Sequence, residues 1–193
     1  MSKKVKNLIF SSILLEASKT KRIAYIAIMS AMLVVCNMFF EFKFADVQFS
    51  LTIFFSAFTG VIIGPIFGFV AAFLGDLVGF LYNSGGFIYM PWIGLAMGMI
   101  ALISGFIFNA PTFKFKGGEY IKLFLISVLT LLICTIGINT TAFWLLYGKG
   151  VPFMSYTFTR LFISGQIYNS LFNYVLLFVA YPLFYKINKA LSF

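Results

Sequence analysis

Apolar residues fill this chain in long runs separated by short polar punctuation, at roughly 22–40, 48–64, 66–83, 88–109, 120–146 and 156–185. A helix crosses a bilayer with about 17 to 25 such residues, so each run is long enough to span. The pattern predicts six transmembrane helices: an all-α integral membrane fold, with 1–193 as a single domain. Only Gly64 and Pro65 separate the second run from the third, which predicts a tight helical hairpin. Asn83, Ser84, Gly85 and Gly86 close the third run, and the stretch from Asn109 to Gly118 closes the fourth. An even number of helices puts both termini on one side.

Charge decides which side that is. Lys3, Lys4, Lys6, Lys19, Lys21, Arg22, Lys114, Lys116, Lys122, Lys186 and Lys189 fall on the side of the termini, against Lys43, Lys149 and Arg160 on the other. The positive-inside rule therefore places both termini in the cytoplasm and Asp76 in the outer half of the third helix. The opening MSKKVKNLIFSSILLEASKTKR imitates a secretion signal, but Glu16 and the cluster Lys19, Lys21 and Arg22 interrupt it, and no small-residue cleavage site follows. Residues 1–20 are expected to stay as a cytoplasmic tail that can lie along the membrane.

Composition narrows the function. The chain is 62% hydrophobic and 10% charged, with a mean hydropathy of +1.03, outside the range of a soluble domain. Its net charge of +9 sits at helix ends, where it sets topology, so no nucleic-acid module is implied. The 27 Phe and 10 Tyr suit lipid-facing and interfacial positions. Cys36 and Cys134 lie inside apolar runs in a chain without histidine, which points away from disulfides and metal sites. No GxxxxGK[ST] loop or HExxH is present. The expectation is a protein that is not an enzyme, holds no cofactor or metal of its own, and draws any transport energy from a partner or an ion gradient.

Four groups of residues stand out. Asp76, in GFVAAFLGDLVGFL, is a lone carboxylate in an apolar run; it is expected to be paired, with Arg160 or an outer-loop partner, or to touch a ligand. Ala24, Ala27 and Ala31 form a small-residue face on the first helix, for packing inside the bundle or for docking a second protein. On the sixth helix Gln166, Asn169, Ser170 and Asn173 share one face, either as glue between helices or as the amide wall of a pocket. Near the outer surface Tyr89, Trp92, Asn139, Trp144 and Arg160 supply rings that could stack on a flat ligand and a guanidinium suited to a carboxylate; interfacial anchoring is the alternative.

Together these features resemble the substrate-binding S-components of energy-coupling factor (ECF) vitamin transporters. The resemblance runs from about residue 20: six helices, the alanine face, the GPIFGFVAAFLGDLVGFL hairpin and a YGKG loop ahead of an arginine. It implies a multi-pass protein of a bacterial plasma membrane that binds a vitamin from outside beneath a loop between the first two helices. It also implies that Ala27 and Ala31 meet a transmembrane scaffold subunit joined to two ATP-binding subunits, so that ATP is bound by partners. TTAFWLLYGKG and Arg160 are similar to folate-specific members, making folate the expected vitamin; SYTFTR departs from them where prolines usually precede the arginine. The readings left beside this one are another vitamin, an assembly subunit of a different membrane complex, and an ion-coupled transporter using Asp76.

Overall fold

In the computed structural model, residues 10, 11, 14, 15, 17–44, 47–82, 88–110 and 117–191 are described, the side chains of 41–48 and 183–191 excepted. Asn83, Ser84, Gly85 and Gly86, expected to close the third run, therefore lie outside the described residues, as do the basic positions 3, 4, 6, 114 and 116.

The first helix, α1 (Lys19–Phe39), starts at Ser18, whose hydroxyl accepts the Lys21 N–H, and buries a stripe of Met29, Leu33 and Cys36. An antiparallel hairpin follows, β1 (Glu41–Phe44) paired with β2 (Val47–Ser50), Glu41 opposite Ser50. The run expected to be helical from residue 48 thus begins as a strand. Only then comes α2 (Thr52–Ile63), whose 12 residues rise about 18 Å, too short to cross a bilayer alone. Gly64, at φ +106°, turns the chain directly into α3 (Pro65–Tyr82), the tight helical hairpin anticipated from Gly64 and Pro65.

Pro91 opens α4 (Pro91–Asn109), which packs on both α2 and α3. The fifth span, Gly118–Tyr147, is α5 (Gly118–Thr130), a π-helical stretch π1 (Leu131–Thr140) and α6 (Thr141–Tyr147). In π1 the wide turn is braced by side chains bonding five residues back: Thr140 Oγ1 to the Thr135 carbonyl at 2.8 Å and Thr141 Oγ1 to that of Ile136 at 3.3 Å. The last apolar run is not one straight helix. It comprises α7 (Phe153–Phe158), π2 (Thr159–Ile163) and α8 (Gln166–Leu191), bent by 55° where Gly165 takes φ +77°.

Among the described residues, two cores hold the bundle. One joins α2, α4, the fifth span and α8 through Ile53, Ile100, Ile126, Tyr174 and Leu177; the other joins α1 to the α2–α3 hairpin through Leu33, Ile63 and Ala72. Leu14 belongs to the second, and Ser11 bonds the Ile62 carbonyl, so this part of the expected tail is seated against the α2–α3 turn. Lys122, counted from sequence among loop charges, lies buried in α5. Its ammonium donates to the carbonyls of Phe108, at 3.0 Å, and Ala110, covering the exposed end of α4. Among the described residues, four helices are long and apolar enough to cross a membrane, and the bent α7–α8 pair makes a fifth; α2 is a further, shorter apolar helix.

Candidate functional site at the outer end

The end of the bundle that the charge distribution assigns to the outside gathers the C-terminus of α3, the start of α4, the β-hairpin, α6 and the α7–π2 segment. Asp76 is buried near the end of α3. Its Oδ1 accepts from Asn37 Nδ2 of α1 at 3.3 Å and its Oδ2 from the Tyr89 hydroxyl at 3.2 Å. Asn37 also donates to the Gly75 carbonyl at 3.4 Å. Gly79 permits this approach, because a Cβ there would fall 2.5 Å from the Asn37 Cβ. Asp76 is therefore tied to an outer-loop residue and to α1, while Arg160 takes other partners.

Arg160 lies over the Phe143 ring, its guanidinium carbon 4.0 Å from the centroid, with the Tyr156 hydroxyl oxygen as a further partner. Trp92 meets the same ring edge-on at 5.9 Å. Asn139 stands one turn before Phe143 on the same face of the fifth span. Phe143 is thus touched by Trp92 of α4 and Arg160 of π2. These two residues and Asn139 each carry a buried polar atom without a hydrogen-bond partner: Trp92 Nε1, Asn139 Oδ1 and Arg160 Nε. Asn139 and Arg160 stand in π-helical stretches, and π-turns are often found at functional sites.

The remaining candidates are used differently. Trp144 donates its indole N–H to the Val151 carbonyl at 2.8 Å and packs edge-on against Phe153, stapling the YGKG loop, in which Lys149 and Gly150 take positive φ. Asn169 and Asn173 are buried with their amide groups bonded to the backbone of Ser50 and Phe54, so they hold the β2–α2 junction instead of walling an open pocket. Gln166 is half-buried at the start of α8. Ala24, Ala27 and Ala31 all lie on the exposed face of α1, opposite its buried stripe.

Asn37, Phe143 and Tyr156 belong to this end and were not singled out from sequence. Asn37 had a signal, as a polar residue inside an apolar run; one Phe among many had none. A groove of about 410 Å³ between α5 and α8, walled by residues such as Leu131, Leu171 and Phe178, has an almost wholly carbon lining. It lacks the convergent polar groups that orient a polar ligand.

The fold and site define a multi-pass membrane protein with a polar, aromatic-lined cluster at one end and an exposed small-residue face on its first helix. Residues 17–189 match the model of the family described as ECF-type riboflavin transporter, S component, and the chain belongs to that family. It is a non-enzymatic, substrate-binding subunit of a vitamin transporter; such subunits associate with an ECF module whose partner ATPases hydrolyse ATP. Five solved chains match in fold. One, described as the crystal structure of FolT bound with folic acid, aligns over 82% of this chain and 91% of that one, with a TM-score of 0.63 and 20% identity. This likeness confirms the six-helix S-component fold. No curated protein sequence matches the chain.

Proposed function

We propose that the outer cluster captures a vitamin with a flat, fused, nitrogen-rich ring, riboflavin first among them, and that the chain delivers it through a scaffold and two ATP-binding subunits. The observation that carries the reading is a trio of unpaired buried atoms: Trp92 Nε1 and Arg160 Nε, on residues that touch Phe143, and Asn139 Oδ1, one turn before Phe143 on the same span. Each such group costs about 1–3 kcal/mol when left unsatisfied, and a ring edge alternating carbonyl oxygens with N–H groups would satisfy all three. Phe143 and Trp92 supply the apolar faces against which the ring would lie. Riboflavin leads because the matching family carries its name.

Folate, expected from TTAFWLLYGKG, is the second reading, and Arg160 favours it. A half-buried guanidinium with a free Nε–H suits the carboxylate that folate has and riboflavin lacks. On the opposite flank, the exposed Ala24, Ala27 and Ala31 are proposed to receive helices of the scaffold, since small side chains let another helix approach closely.

Native mass spectrometry of the purified protein, followed by riboflavin fluorescence titration with folic acid as competitor, tests the reading. Saturable quenching that folic acid does not relieve supports riboflavin; the reverse ranking supports folate. If neither vitamin binds and no ATPase-containing scaffold copurifies, the reading is abandoned.

A further inference from the structure

The outer β-hairpin is fastened to α8 at one junction. Ser50, the last residue of β2, donates its N–H to Asn169 Oδ1 at 3.0 Å, and its carbonyl accepts from Asn173 Nδ2 at 2.7 Å. Asn173 Oδ1 accepts the Phe54 N–H of the first turn of α2 at 2.8 Å, and Asn173 Nδ2 also reaches Asn169 Oδ1 at 3.1 Å. Phe49 closes edge-on over Phe172 beside them at 5.7 Å. Two asparagines one turn apart therefore satisfy three backbone groups at a strand-to-helix junction, where no regular ladder supplies partners.

On the N-terminal side of the same helix stands the break at Ser164 and Gly165, and just before the break lies Arg160. Along the chain the order is Arg160, a hinge with one residue in the left-handed region, then Asn169 and Asn173, which grip the end of the hairpin.

We propose that Asn169 and Asn173 form a clasp coupling Arg160 to the β1–β2 hairpin, and so act as positioning residues for ligand capture. A ligand that engages Arg160 shifts π2 about the Gly165 hinge. The clasp then carries the resulting tilt of α8 into Ser50 and β2. This rests on the ligand site proposed above. A role as helix glue alone would affect stability but not ligand exchange.

The test uses the full chain in nanodiscs, with riboflavin and folic acid as probes, reading ligand release by stopped-flow and amide exchange at residues 50–54. Asn169→Leu should raise exchange there and speed release at least tenfold. Asn169→Asp, which keeps an acceptor oxygen for the Ser50 N–H and for Asn173, should restore both. Gly165→Ala, which leaves the clasp intact, should abolish the extra protection of 50–54 that ligand confers. Raised exchange with unchanged release in Asn169→Leu would overturn the coupling, and unchanged exchange would overturn the clasp itself. If wild-type protein binds neither vitamin, the functional reading fails and the coupling with it, while the exchange data still decide whether the clasp exists.

Discussion

Tyr89 donates its phenolic hydrogen to the Asp76 carboxylate at 3.2 Å, tying the outer end of α3 to the segment that starts α4. With Asn37 bonded to the other carboxylate oxygen, the acid is shared by three parts of the chain. A carboxylate near the centre of a membrane helix costs about 2.5–3.5 kcal/mol on insertion scales, and these two donors, near the helix end, offset much of that. The geometry is that of a structural tie placed beside the proposed ligand cluster.

Asp76→Asn should therefore keep the bundle, because an amide can still accept from Asn37 and donate to the Tyr89 oxygen. Ligand affinity should fall threefold to tenfold, about 0.7–1.4 kcal/mol, as the start of α4 loosens under Trp92. Asp76→Leu leaves Asn37 and Tyr89 without their partner and should lose about 2–4 kcal/mol of stability. Thermal unfolding alongside binding isotherms separates the two effects, and unchanged affinity in the Asn variant would leave Asp76 without a ligand role.

Tyr89 precedes α4, and burial, together with the adjacent Asp76 carboxylate and the hydrogen bond to it, pushes its phenol up from 10.0 to about 12. The unfolded chain releases this proton near 10 while the folded one holds it to about 12, so the contribution is complete below the lower value and disappears as pH rises through the upper. With no histidine in the chain, ligand affinity should be flat between about pH 6 and 9. The melting temperature should then drop between about pH 10 and 12, more steeply than in Tyr89→Phe. Equal slopes in the two proteins would count against the Tyr89–Asp76 bond.

The apolar runs located α3 and α4 to within a few residues because those helices are bounded by Gly–Pro and Met–Pro steps that act locally. The β-hairpin was not legible, since VQFSLTIFFS reads as the start of a helix and becomes a strand through pairing with Glu41–Phe44 and the grip of Asn169 and Asn173. The Ser164–Gly165 break had a visible signal, the Ser-Gly dipeptide, masked by the apolar residues before it. The π-helical turns had none, because a segment hydrophobic on all sides carries no periodicity to widen. Trp92, Asn139 and Arg160 were individually visible as polar or amphipathic residues near a helix end. That Trp92 and Arg160 meet at Phe143 is a tertiary fact.

Arg160→Met gives up the Tyr156 contact but keeps an unbranched side chain against the Phe143 ring, so it should leave the fold intact and, by removing the unpaired Nε, weaken vitamin binding at least tenfold, about 1.4 kcal/mol. Arg160→Lys keeps the charge but loses the planar fork and the stack on Phe143. Affinity lost equally in both variants would assign the role to the guanidinium's geometry; affinity retained by Lys would assign it to charge, and favour a carboxylate ligand. Fluorescence titration at two salt concentrations makes the distinction. Binding unaltered in both would remove Arg160 from the site.

Ala27→Leu and Ala31→Leu test the other flank of the molecule. Both positions are exposed, on the side of α1 away from Met29, Leu33 and Cys36, so a larger side chain meets no part of this chain. Stability and vitamin affinity should therefore stay within experimental error of the parent. Close approach of a partner helix, however, needs small residues at a four-residue spacing, and one leucine holds the backbones apart. Copurification of the scaffold, and ATP-driven uptake in vesicles containing the whole complex, should both be lost. Leucine variants that still assemble and transport would show that the partner docks elsewhere, and variants that unfold would return the alanines to a packing role.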